Sequence, residues 1–169
     1  MLSKKMEQAL NNQINAELWS AYLYLSMSAD FAHKGYSGFA HWFDIQYREE
    51  QAHADLYIKY ILSRGGKVTL QPIREVKTEW TDLLNAFEDT LQHEQAVTKM
   101  INELYDLAVK EKDYATVSFL KFFVDEQVEE EETAKQFIDN LRMIGDSGIG
   151  IYMLDKEVKG RVFNAPKNA

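Results

Sequence analysis

The chain has no cysteine and only two prolines in 169 residues. Without thiols there is no disulfide, no thiolate nucleophile, no iron–sulfur cluster and no cysteine-ligated zinc, so any metal must be held by oxygen and imidazole. Scarce proline leaves long helices unbroken. No run of eighteen apolar residues occurs, which argues against a membrane-spanning helix. Positive charge is also in deficit. A net charge of −8 lacks the basic face that a nucleic-acid backbone requires and suits a surface that draws in cations. Residues 1–10 read as the start of a helix, not a secretory or transit segment, so a cytoplasmic location is expected, with neither nucleic acid nor membrane as a partner. The length fits one domain, residues 1–169, with a sizeable core.

What the sequence does contain is helical periodicity. Four long stretches, about 3–34, 37–64, 82–112 and 113–144, carry apolar residues at alternating spacings of three and four, the mark of a helix with one buried stripe. The stripes read Met6, Leu10, Gln13, Glu17, Ser20, Tyr24, Met27, Phe31 in the first and Phe39, Phe43, Gln46, Glu50, His53, Tyr57, Tyr60 in the second. The third reads Leu84, Phe87, Leu91, Glu94, Thr98, Ile101, Tyr105, Ala108, and the fourth Leu120, Phe123, Gln127, Glu130, Ala134, Phe137, Leu141, Ile144. Gly35, Gly65 and Gly145 supply stop signals, Thr81 or Asp82 supplies the N-cap of the third helix, and Asp113 opens the fourth. Short turns make antiparallel hairpins of helices one and two and of helices three and four. The link at 65–81 is different. Extended at about 3.3 Å per residue it can reach roughly 55 Å, more than the roughly 40 Å of a 27-residue helix, so it can cross the whole bundle and leave the second and third helices parallel. A short fifth helix is expected at about 149–159, followed by a loose polar tail at 160–169.

Each stripe is interrupted near its midpoint by polar residues: Glu17, Glu50 with His53, Glu94, and Gln127 with Glu130. Helix midpoints share one level in such a bundle, so these groups converge. A buried carboxylate without a partner costs on the order of several kcal/mol, and neighbouring carboxylates repel one another as well. No Lys or Arg occupies those stripe positions, so a cation must compensate. Oxygen ligands with one imidazole favour iron, manganese or zinc over calcium. Glu50 and His53 lie about 60° apart on one helix face and can grip the same ion. Taken singly, each of these residues is more often a solvated or satisfied side chain. The four matched intrusions carry the argument.

Over essentially its full length the chain resembles the haem-free bacterial ferritins, in its four long helices, long crossover, short fifth helix and interrupted stripes. The resemblance implies an all-α fold, a ferritin-like four-helix bundle with one long crossover and a short C-terminal helix. It implies iron storage with ferroxidase activity, in which Fe(II) is oxidised by dioxygen or hydrogen peroxide and ferric mineral is laid down inside a hollow homo-oligomer of 24 subunits. Glu17, Glu50 and His53 would hold a first iron. Glu50 would bridge to a second iron on Glu94, with Gln127 beside the oxygen-facing side. Glu130 would be shared with a third iron site formed with Glu49, Glu126 and Glu129. Tyr24, two turns beyond Glu17, is either a core tyrosine bonded to a ligand carboxylate or an electron donor. Glu126 and Glu129 are either ligands or part of a solvated face. His93 points away from the ligand positions and is expected at the surface or a subunit contact.

Departures from related proteins are informative. Many di-iron bundles repeat Glu-x-x-His on the fourth helix, where this chain has Gln127 and Glu130, an asymmetry that favours iron passing through over iron retained. Ala52 stands where bacterioferritins place a haem-ligating methionine, so no haem is expected. The rubrerythrin iron module needs cysteines, which are absent. Two other readings remain open from the sequence: a di-iron oxidoreductase that keeps its iron, and a purely structural bundle whose acids bind nothing.

Overall fold

In the computed structural model, which describes residues 1–166, the chain forms five helices: α1 (Lys4–His33), α2 (Ser37–Ser63), α3 (Leu83–Glu111), α4 (Tyr114–Ile144) and α5 (Gly148–Val158). The tail expected at 160–169 runs partly past the described residues, since 167–169 lie outside them. Local chemistry explains the helix ends. Ser3, Asp82, Asp113 and Ser147 each accept a hydrogen bond from a backbone N–H in the first turn of α1, α3, α4 and α5. Gly35, with φ of 87°, makes the tight reversal between α1 and α2.

The long crossover keeps step with α1. Asn11 donates to the Lys67 carbonyl and accepts from the Thr69 N–H, the Trp19 indole donates to the Glu75 carbonyl, Ser26 donates to the Lys77 carbonyl, and Asp30 accepts from the Trp80 N–H. As residues 67–80 advance, their partners on α1 advance from 11 to 30. The crossover therefore runs parallel to α1, opposite to α2, and delivers the chain to α3 in the direction α2 already had. Arg64 ties the far end of α2 to the α3–α4 turn through an ion pair of 3.1 Å with Asp113.

The apolar core is divided in two. One layer gathers Tyr24, Phe31, Phe39, Phe43, Phe87 and Leu141 toward the α5 end; the other gathers Met6, Leu10, Tyr57, Ile101, Leu120 and Phe123 toward the opposite end. Between them lies a buried polar layer of Gln13, Glu17, Glu50, His53, Glu94 and Gln127. The side chains that interrupt the stripes separate the two clusters.

Two stripes are rotated from their expected setting. On α3 the buried face runs through Leu83, Phe87, Thr90, Glu94, Val97, Ile101 and Leu104, while Leu84, Leu91, Thr98 and Tyr105 are half-buried. On α4, Ile138 is buried where Phe137 is half-buried. A straight helix drifts against a strict seven-residue repeat, so neighbouring residues share the seam over this length.

Candidate metal centre

Four helices bring their midpoints together. Glu17 of α1 and Glu50 and His53 of α2 offer donor atoms that all lie within 4.8 Å of one another, and all three are buried. The Nδ1 of His53 stands 3.5 Å from Glu50 Oε2, an oxygen that is buried without a hydrogen-bond partner among the described residues. Gln13, one turn before Glu17, donates to Glu17 Oε1 at 2.9 Å and sets that carboxylate's orientation. Phe122 and Phe123 close around the His53 ring edge-on, at centroid distances of 6.1 and 5.6 Å.

Glu94, fully buried on α3, faces the same layer from the other hairpin. The Tyr24 hydroxyl donates to its Oε1, and Gln127 donates to its Oε2 at 3.0 Å. Glu130 on α4 accepts from Gln46 at 3.0 Å. Glu94 and Glu130 thus stand beside the Glu17, Glu50 and His53 group, each turned toward a neighbouring amide or hydroxyl.

The electrostatics favour a cation. Burial, reinforced by the Glu50 charge, holds the Glu17 carboxyl well above the usual carboxylate range, and burial with the Glu94 charge does the same for Glu50. Burial also raises Glu94, against the opposing pull of the Tyr24 and Gln127 hydrogen bonds. Burial and the Glu94 charge push Glu130 up to about 7. Each shift favours the protonated acid, so a divalent cation that binds here displaces protons. The orphaned oxygen of Glu50, one imidazole and several carboxylates form a donor set that fits iron.

The third group is looser. Glu49 is half-buried and raised to about 7, chiefly by burial. Glu126 is half-buried and raised by burial, while Glu129 is exposed.

Three features escape a stripe reading. Tyr57, one turn beyond His53, buries a hydroxyl without a hydrogen-bond partner among the described residues, and its pKa is raised well above the usual value by burial and then by Glu17 and Glu50. Its aromatic ring made it look like core packing only. His93 is neither on the surface nor free. It is half-buried between Trp19 and Tyr24, at centroid distances of 5.2 and 6.1 Å, with Nε2 2.8 Å from Ser20 Oγ. Ser20 donates to the Ala16 carbonyl, so it accepts from His93 Nε2–H. Burial lowers this imidazole to about 4, which leaves it neutral at pH 7. The large Trp19 and Tyr24 rings reach around a side chain expected at the surface or a subunit contact and leave it half-buried.

The third is Arg161. It lies just beyond α5 in the segment expected to be loose, yet its Nη2 lies 2.5 Å from Glu49 Oε2. Arg161 comes from the tail and not from a helix stripe, so helical spacing carries no sign of it; in the sequence it is one of several bases in a weakly patterned stretch.

Comparison with known proteins agrees with this geometry. Residues 7–144 match the ferritin-like domain family. The chain is 45% identical over 161 residues to a bacterial non-heme ferritin of Bacteroides fragilis, covering 95% of this chain and all of that one. It is 42% identical over 164 residues to a bacterial non-heme ferritin of Staphylococcus epidermidis, covering 97% and 99%. Among solved structures, the open pore ferritin of Archaeoglobus fulgidus superposes with a TM-score of 0.95 at 46% identity, covering 96% of this chain and all of that one. With buried acids and one imidazole at the waist of a one-crossover bundle, and with these likenesses along nearly its whole length, the chain belongs to the ferritin family.

Proposed function

We propose that this protein stores iron, oxidising Fe(II) at the buried acid layer and depositing the ferric product inside a homo-oligomeric shell. The observation that carries this reading is the convergence of Glu17, Glu50 and His53 within 4.8 Å, with Glu94 facing them from the other hairpin. One ferrous ion takes Glu17, Glu50 and His53. A second takes Glu94 and shares Glu50, with Gln127 and Glu130 at its side. Each ion gives one electron to dioxygen, which with two protons from solvent becomes hydrogen peroxide; peroxide in turn takes two electrons from another ferrous pair and two protons from solvent to become two waters. Carboxylates stabilise the growing positive charge on the products. The single imidazole and the amide of Gln127 bind ferric iron less firmly than a symmetric two-histidine site, so the product moves on and hydrolyses. Haem has no place in this scheme, since Ala52 offers it no ligand.

The shell is proposed to contain 24 copies. Exposed Leu70 and Ile73 on the crossover, and Ile149, Tyr152 and Met153 on α5, are apolar surface of the kind that neighbouring subunits cover. Among the described residues no helix is long and apolar enough to cross a membrane, and the cytoplasm is the proposed location.

The test is aerobic addition of Fe(II) to metal-free protein, following ferric absorbance and particle mass together. A storage protein takes up far more iron than its ligand sites can hold and gains the mass of a mineral. An oxidoreductase that retains its iron stops at two per chain. Glu50→Ala, which removes the bridging carboxylate, is expected to slow oxidation roughly a hundredfold or more; oxidation at the parent rate would overturn the assignment of this layer.

A further inference from the structure

Arg161 places a fixed positive charge beside acids that the resemblance to bacterial ferritins would assign to a third iron. Three contacts hold it there. Its guanidinium reaches Glu49 at 2.5 Å and lies over the Trp42 ring at 4.5 Å from the centroid, and its backbone carbonyl accepts from His41 Nε2 at 2.8 Å. Trp42 is buried and Glu49 half-buried, so the guanidinium is held against a wall of the bundle and is not free in solvent. Its positive charge also acts on Glu130, the carboxylate shared between the second and third positions. A second guanidinium nitrogen, Nη1, is buried with no acceptor among the described residues. The carboxylate is therefore gripped at one point and not by a two-pronged fork, which leaves the contact strong enough to persist and weak enough to be displaced.

A guanidinium and a metal ion compete for the same carboxylate oxygens. We propose that Arg161 occupies the third cation position through Glu49, so that this chain binds two metal ions readily and admits a third only when the tail lifts its guanidinium away from Glu49 and Trp42. Arg161 is on this view a specificity-determining residue for how many cations the site takes. The inference rests on the reading of Glu49 as a third-site ligand.

The experiment titrates Zn2+, which undergoes no oxidation, into the metal-free full-length protein by calorimetry, following tryptophan fluorescence in parallel. Parent, Arg161→Gln, Arg161→Lys and Arg161→Gln/Glu49→Gln are compared. The parent is expected to bind two ions tightly and a third weakly, with the third changing the Trp42 emission as the guanidinium leaves its face; a Trp42→Phe control removes that change. Arg161→Gln is expected to tighten the third event roughly tenfold or more and to abolish its fluorescence change. Arg161→Lys, which keeps the charge and loses the planar stack, should fall between them, and the double variant should lose the third event. If parent and Arg161→Gln bind a third ion with equal affinity, and the Arg161→Gln/Glu49→Gln double variant loses it, the role of Arg161 is overturned while the ligand assignment stands. If every protein stops at two, Glu49 is no ligand and both ideas fall.

Discussion

Glu130 and Glu49 show how burial turns a residue into a pH-dependent element of stability. Each has a value of about 7 in the folded chain against an ordinary 4.5. Each therefore gains a proton on folding between those limits, and the stability it contributes is fully present below about pH 4.5 and lost as pH rises through about 7. Glu17, Glu50 and Glu94 are raised as well and add to the loss above their unfolded values. His93, lowered to about 4, works in the opposite sense between 6.5 and 4, one group against several. Metal-free protein is accordingly expected to melt lower at pH 8 than at pH 5.5, by roughly 5 °C or more for a chain of this size. Loading with Zn2+ should abolish that fall, because the ligands are then already deprotonated. Thermal melts at both pH values, with and without zinc, check this. A metal-free protein that melts higher at pH 8 would mean that these carboxylates are not strained.

At the scale of the element, α5 is the piece whose placement depends most on a single atom. The N-cap of α2, Tyr36, makes no side-chain cap, and the first-turn N–H groups of Gly38 and Phe39, which have no acceptor within the helix, instead donate to Asp155 Oδ1 of α5 at 2.9 and 3.0 Å. This carboxylate also complements the positive end of the α2 dipole. The approach is possible only because residue 38 is glycine, since a Cβ there would stand 1.6 Å from the Asp155 carbonyl oxygen. Gly38→Ala is expected to displace α5 and cost about 2 kcal/mol or more. The loss should appear as a lower melting temperature and faster proteolysis near residues 145–147. Parent-like melting and cleavage would show that α5 can shift without penalty. Arg161 follows α5 directly, so the docking of this helix also sets where its guanidinium lies.

The whole molecule carries apolar surface that its own fold leaves uncovered. Tyr22 and Leu25 on α1 are exposed, as are Leu70 and Ile73 on the crossover laid along it. A second copy of the chain is the proposed cover. Replacing Leu70 and Ile73 together by aspartate puts two charges into that contact, and the assembly is expected to break into small species by light scattering while the helical circular dichroism stays at the parent level. A particle of unchanged mass would place the subunit contact elsewhere.

Periodicity, glycine stops and the reach of residues 65–81 were enough to read an all-α bundle with one crossover, because spacing along a helix dictates which side chains share a face. The same spacing singled out Glu17, Glu50 and His53, since carboxylates on a buried stripe are too costly to be accidental. Contacts between distant segments lie outside such reasoning. Only the tertiary structure decided that Tyr24 and Gln127 hold Glu94, that Gln46 holds Glu130, that His93 is half-buried between Trp19 and Tyr24, and that α3 presents Val97 and Leu104 to the core where Thr98 and Tyr105 were expected. Arg161 reaches Glu49 across 112 positions of sequence, a distance over which local pattern carries no information and packing alone sets the neighbours.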